Sequence, residues 1–282
     1  MERFLIRAIL FVALLAGLLG LLEFSLARAN RKSHGQFRVG EDVYRVLEAA
    51  DLPHPKVTTL YLGDSVARQL FPMHSEPSPK LLYLPANQAI SLAGQYCLLQ
   101  KVIDHSPHLG HVYLFYTPRS WANDLDQIFT HDYFCGCFHT APMVWEIWQL
   151  KHDPQLTESH FARLILPNTM AENSYLNRSQ SNYGVPIVKV DPADRHPFSN
   201  TSNHFLEKMK SLCAERDITL TVLPCPCMGR QSQFAALSDI YDEPIRFYDP
   251  SLFLPDQIHF KKPNVEPMRE RVVEQFHLRE DD

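Results

Sequence analysis

Two textures of apolar residues divide this chain. From Ala8 to Leu22 every position is uncharged and apolar, a run of 15 residues with Arg3 and Arg7 ahead of it. Beyond residue 40 the apolar positions break into short β-branched or aromatic runs, separated by stretches in which they recur at helical spacing. Runs of the first kind predict strands over 57–63, 81–84, 111–117, 218–223 and 245–248. Stretches of the second kind predict helices near 41–50 and over 64–71, 91–104, 201–215, 231–239 and 264–277. Between about 123 and 182 the alternation stops, and only short helical segments such as 143–150 and 159–166 are expected. Strands separated by helices imply right-handed crossovers and a parallel sheet covered on both faces, with the ligand crevice at the carboxyl ends of the strands. The predicted fold is therefore α/β, a three-layer α/β/α arrangement with a helical insertion over about 123–182.

The first strand ends in a polar turn that enters a helix directly, Leu60-Tyr-Leu-Gly-Asp-Ser-Val-Ala67. Gly63 permits the sharp turn, and Asp64 or Ser65 can cap the new helix. The turn presents the Ser65 hydroxyl at a helix start, where it is a candidate nucleophile; an ordinary serine cap accounts for the tripeptide equally well. Near the other end of the chain, Leu254-Pro-Asp-Gln-Ile-His-Phe260 sets an aspartate and a histidine three residues apart. At that spacing Asp256 can hold one imidazole nitrogen of His259 and leave the other to take a serine proton. The plainer account of this segment is a loop leading to a helix started by Pro263, with Val265, Met268, Val272, Val273 and Phe276 on its inner face.

Two further segments lie between these ends. Leu81-Leu-Tyr-Leu-Pro-Ala-Asn-Gln-Ala-Ile-Ser91 runs from a strand into a polar turn, and His111-Val-Tyr-Leu-Phe-Tyr-Thr-Pro118 is followed closely by Trp121-Ala-Asn-Asp-Leu125. With these four stretches in this order over residues 57–275, the chain resembles the SGNH, or GDSL-type, hydrolase superfamily. The resemblance implies a flavodoxin-like parallel sheet and a serine esterase or acyltransferase that needs no cofactor. Gly63-Asp64-Ser65 matches the first block, so Ser65 would be the nucleophile, with its own N–H in the oxyanion hole. Asn87-Gln-Ala-Ile-Ser91 is similar to the second, with Ala89 in place of a glycine and its N–H as the second donor. Trp121-Ala-Asn123-Asp124 is similar to the third, with Trp121 in place of a glycine and the Asn123 amide as the third donor. Asp256 and His259 match the last block. Such donors stabilise the charge that develops on an ester carbonyl oxygen, and losing one typically costs about 10²–10³ in rate.

The apolar run at the N-terminus is a signal peptide or a signal anchor over residues 1–29, followed by one α/β domain over 30–282. Extended from Phe4 to Leu26 it has span length, provided that Arg7 snorkels and Glu23 lies at the interface. Ala27-Arg28-Ala29 offers a small-x-small cleavage site. Either outcome sends the domain out of the cytoplasm, as a single-pass membrane protein or, if cleaved, as a secreted one.

Composition narrows the partners. A formal charge of −5 and a pI near 6.3 argue against nucleic acid, and no phosphate-binding glycine loop, dinucleotide fingerprint or internal repeat is present. Six cysteines in an exported domain suit disulfides, and the pairs Cys135/Cys137 and Cys225/Cys227 both fall near the predicted carboxyl edge of the sheet, where they could bridge one another. Cys97 and Cys213 complete the set, and buried thiols are the alternative. A metal cluster of His131, Cys135, Cys137 and His139 is a sharper idea, but Cys-x-Cys is not the usual zinc spacing, and no metal site is assigned.

Trp121, Tyr133, Phe134, Phe138, Trp145 and Trp148 give the insertion an aromatic character suited to stacking on sugar rings or to forming its own small core. Asn177 and Asn200 begin glycosylation-type tripeptides, although Asn200 or Thr201 as a helix cap is simpler. The expected partners are the membrane and an ester or acylated glycan, with O-acetyl groups of an envelope polymer as the leading class and the oligomeric state unassigned. The rival expectation is a degenerate domain of the same kind, without catalysis, serving in envelope assembly or carbohydrate binding.

Overall fold

A computed structural model describes residues 2–32, 41–86, 92–122, 199–229 and 234–278. Among these residues four strands form one parallel sheet: β1 (Thr59–Gly63), β2 (Leu81–Tyr83), β3 (His111–Tyr116) and β4 (Thr219–Pro224), in the order β2-β1-β3-β4. Register is continuous from edge to edge, with Leu60 opposite Leu82 and Val112, and Leu114 opposite Val222.

Alternation along the strands divides the core in two. Leu60, Leu62, Leu82, Val112, Leu114, Tyr116 and Val222 face one side, where they join α2 (Glu41–Ala50), α4 (Leu92–His105) and, C-terminal to these, α5 (Asn200–Ala214). Tyr61, Tyr83, Phe115 and Leu223 face the other, where they pack against α3 (Ser65–Leu70) and α6 (Val265–Gln275) through Val66, Leu70, Met268 and Val272. This is the three-layer α/β fold read from the sequence. Tyr61 is the hub of the second layer, with Phe71, Tyr83, Tyr113 and Phe115 all within 5.7 Å between ring centroids. Rings tilted or offset in this way pack more favourably than face-to-face ones.

Three expectations are corrected. The fifth strand, 245–248, is reduced to a single bridge between Cys227 and Phe247, because Asp242 occupies the outer edge of β4. Its N–H donates to the Val222 carbonyl at 2.9 Å and its carboxylate accepts from the Val222 N–H at 2.6 Å. Of the helix expected over 231–239, the described part is a short 3-10 segment, Ala235–Ile240, and 231–233 lie outside the described residues. The cap of α5 is one residue earlier than expected: Ser199 accepts from the Ser202 N–H. The proposed insertion, 123–182, lies outside the described residues.

Ahead of the sheet, α1 (Glu2–Lys32) is a helix of 31 residues. Its segment Phe4–Leu22 has a mean hydropathy of 2.6 and is not buried by the rest of the protein. Nineteen residues at about 1.5 Å each span about 28 Å, close to the hydrocarbon thickness of a bilayer. A signal anchor and a signal peptide share these properties.

Candidate active site

In the order β2-β1-β3-β4 the connections diverge between β1 and β3, and at such a switch point the carboxyl ends of the strands leave a crevice. The Gly63-Asp64-Ser65 turn sits there. Gly63 has φ +156°, and a Cβ added to it would lie 2.2 Å from the Phe115 carbonyl oxygen and 2.5 Å from the Ala67 Cβ. Glycine is therefore required twice over, for its dihedral and for the close approach of β3. The Gln95 side chain, wholly buried on α4, grips the same residue: its Oε1 accepts from the Gly63 N–H at 3.1 Å and its Nε2 donates to the Gly63 carbonyl at 2.9 Å.

Asp64 is the cap of α3 and is 1 % exposed. One carboxylate oxygen accepts from the Val66 and Ala67 N–H groups at 3.0 and 3.4 Å. The other accepts from the Thr117 N–H at 2.7 Å and from the Thr117 and Ser120 hydroxyls at 2.6 and 2.7 Å. A buried carboxylate is stable only when satisfied in this way, and here the satisfaction locks the Gly63-Asp64-Ser65 turn to the end of β3. Thr117 and Ser120 escaped the sequence reading, although a Thr-Pro-Arg-Ser run directly after a strand offers hydroxyls at a strand end.

Ser65 follows at the first position of α3 and is 7 % exposed. Its Oγ lies 2.8 Å from His259 Nε2, and His259 Nδ1 lies 2.6 Å from Asp256 Oδ2. A carboxylate only accepts, so Nδ1 carries the ring proton; Nε2 of the neutral ring is then the acceptor for the Ser65 hydroxyl. Asp256 is in turn held by its own loop, its Oδ1 accepting from the Ile258 and His259 N–H groups at 2.9 and 3.0 Å. Partial burial pushes the Asp256 carboxyl up, but the bonds from the His259 ring and the two N–H groups, with the charge of the ring when it is protonated, outweigh it. The group is held below its ordinary value. The loop closes through an antiparallel bridge between Phe253 and Phe260, whose rings lie 4.7 Å apart and are buried.

Three of the five residues singled out from the sequence thus meet in one hydrogen-bonded chain. The other two, Ala89 and Asn123, lie outside the described residues, as do Asn87 and the cluster of His131, Cys135, Cys137 and His139. Among the described residues no group of three or more His, Cys, Asp or Glu side chains is arranged to hold a metal.

Trp121 is wholly buried, its Nε1–H donating to the Tyr241 hydroxyl at 2.6 Å, which donates to the Tyr116 carbonyl at 2.8 Å. It is a core residue, so the surface role considered for it is corrected. Cys97, Cys213, Cys225 and Cys227 are buried thiols, so the disulfide expected at Cys225 or Cys227 is not formed. Burial pushes the Cys213 thiol up to about 11 and the Cys227 thiol up to about 12, and burial with the nearby Asp64 charge raises Cys225 well above the usual range.

An α/β protein with a hydrogen-bonded Ser-His-Asp chain at the carboxyl edge of its sheet is the class these features define. No family model and no curated protein matches the chain. One solved structure, "a putative platelet activating factor from Streptococcus pneumonia", aligns over 93% of this chain and 99% of that one, at 10% identity and a TM-score of 0.33. A likeness of that degree carries no argument.

Proposed function

We propose that this chain is a membrane-associated serine esterase or O-acyltransferase of the SGNH type, with Ser65 as nucleophile, His259 as general base and Asp256 as its orienter. The observation that carries this reading is the run of short contacts from Ser65 Oγ through His259 to Asp256. In the proposed reaction Ser65 Oγ bonds to an ester carbonyl carbon while its proton passes to His259 Nε2. The resulting imidazolium is stabilised by Asp256. Collapse of the tetrahedral intermediate breaks the ester C–O bond, and Nε2 returns the proton to the departing alcohol. Water or an acceptor hydroxyl then takes the acyl group from Ser65, giving hydrolysis or transfer. The Ser65 N–H, the Ala89 N–H and the Asn123 amide are the proposed oxyanion donors.

The proposed substrate is an O-acyl, chiefly O-acetyl, group on a cell-envelope glycan, with the domain held outside the cytoplasm by α1. An apolar helix of span length supports the membrane part of this reading, and the substrate class rests on that helix together with the aromatic residues of the segment 123–182. The test is labelling of the purified protein with a fluorophosphonate, followed by turnover of p-nitrophenyl acetate. Wild type is expected to label at a site lost in Ser65→Ala, and His259→Ala to lower kcat/KM about 10²–10⁴-fold. Equal labelling of wild type and Ser65→Ala would remove Ser65 as nucleophile and leave the non-catalytic alternative.

A further inference from the structure

We propose that Gln69 is a positioning residue: its amide fastens the backbone of Phe260 to the helix carrying Ser65, and so sets where His259 stands relative to the serine hydroxyl. The role rests on the serine-hydrolase reading given above and deepens it.

Gln69 lies four residues after Ser65 on α3, which places both on one face of the helix, a turn apart. Its Oε1 accepts from the Phe260 N–H at 3.0 Å, and its Nε2 donates to the Phe260 carbonyl at 3.4 Å. Both bonds reach across 191 positions of sequence to the residue next to His259. A planar amide that uses its donor and its acceptor on one residue fixes a separation and an orientation together, which a single bond cannot do.

Other contacts of the loop do different work. The bonds of Asp256 to Ile258 and His259 orient the imidazole within the loop, as does the Leu254 N–H donated to the His259 carbonyl at 2.7 Å. The buried rings of Phe253 and Phe260 hold the loop down, but apolar packing is non-directional. Gln69 supplies directional attachment of the loop to the nucleophile helix itself. Gln95 does the same for the nucleophile turn, so each half of the Ser65–His259 pair has one glutamine amide clamped to backbone.

The consequence is geometric. A displacement of about 1 Å at a reacting pair can cost about 10²-fold in rate, so loosening this clamp is expected to weaken turnover more than binding. The test compares the full-length protein in detergent with Gln69→Met, which keeps the side-chain length but offers no amide. Thermal unfolding, the rate of fluorophosphonate labelling and steady-state turnover of p-nitrophenyl acetate are measured.

The expected result is a cooperative melting transition in both proteins, with the labelling rate and kcat of Gln69→Met reduced at least about tenfold and KM within about twofold. A merely structural residue would lower the melting temperature without that split. Gln69→Glu is the second variant. Its ionised carboxylate can still accept from the Phe260 N–H but faces the Phe260 carbonyl with repulsion, and the same loss is expected.

A folded variant that labels like wild type overturns the positioning role and leaves Ser65 as nucleophile. Wild type that does not label at Ser65 overturns both. Loss of the fold in both variants assigns the amide to stability and overturns the role.

Discussion

A methyl group at position 63 would have nowhere to go. Its carbon would fall within 2.2 Å of the Phe115 carbonyl oxygen, on a backbone with φ +156°. Gly63→Ala is therefore expected to destabilise the protein by about 2–4 kcal/mol, dihedral strain and overpacking acting together, as measured by urea unfolding. At the next residue the Asp64 carboxylate accepts from backbone N–H groups of two segments and from two hydroxyls. Asp64→Asn puts an NH₂ where only acceptors fit, and should cost about 1–3 kcal/mol for each buried donor left unsatisfied, with labelling of Ser65 slowed in the same variant. Gly63, Ser65, Asp256 and His259 could be picked out of the sequence because local spacing encodes their placement: a strand-to-helix turn and a three-residue Asp–His interval. Gln95 and Gln69 could not, because their partners lie 32 and 191 positions away. The one local hint was Gln95 itself, a polar side chain among Leu92, Tyr96 and Leu99 on a helix whose neighbours are buried.

Among the elements, strands and long helices emerged within a residue or two of their predicted bounds, since two-sided burial writes continuous apolar runs and helix packing writes a regular stripe. The segment 245–248 has the strand texture but not the partner, because its place beside β4 is taken by Asp242. No pattern within 245–248 records that competition. The loop 253–260 owes its shape to Asp256, and the lowered carboxyl of that residue fixes a pH dependence. Its stabilising contribution is complete above the ordinary value of 3.8 and is lost as pH falls through the lower folded value. Urea unfolding of wild type and Asp256→Asn should accordingly differ at pH 7 and converge in strong acid. Asparagine also disturbs the proton on His259 Nδ1, so fluorophosphonate labelling of Asp256→Asn should be slow even at neutral pH. Elsewhere in the core, thiols raised by burial are poor nucleophiles. In the folded protein at pH 8, a thiol reagent followed by peptide mapping should leave Cys213, Cys225 and Cys227 unmodified, and unfolding should expose all three.

For the whole molecule, α1 predicts association with membranes that survives high salt, since apolar insertion is not screened as surface charge is. Fractionation of cells expressing the full chain should place it with the membrane pellet, and N-terminal sequencing should find Met1 or a neighbouring residue. A mature start at Asn30 with a soluble product would indicate cleavage instead. Ser65 and His259 stand 194 positions apart in the chain and 2.8 Å apart in space. At about 5–20 residues per second, translation would make the second about 10–40 s after the first. A nascent chain therefore carries its alcohol without the imidazole through most of its time on the ribosome, and in a molecule released early, before the final loop, the Ser65 hydroxyl has no ring to bond.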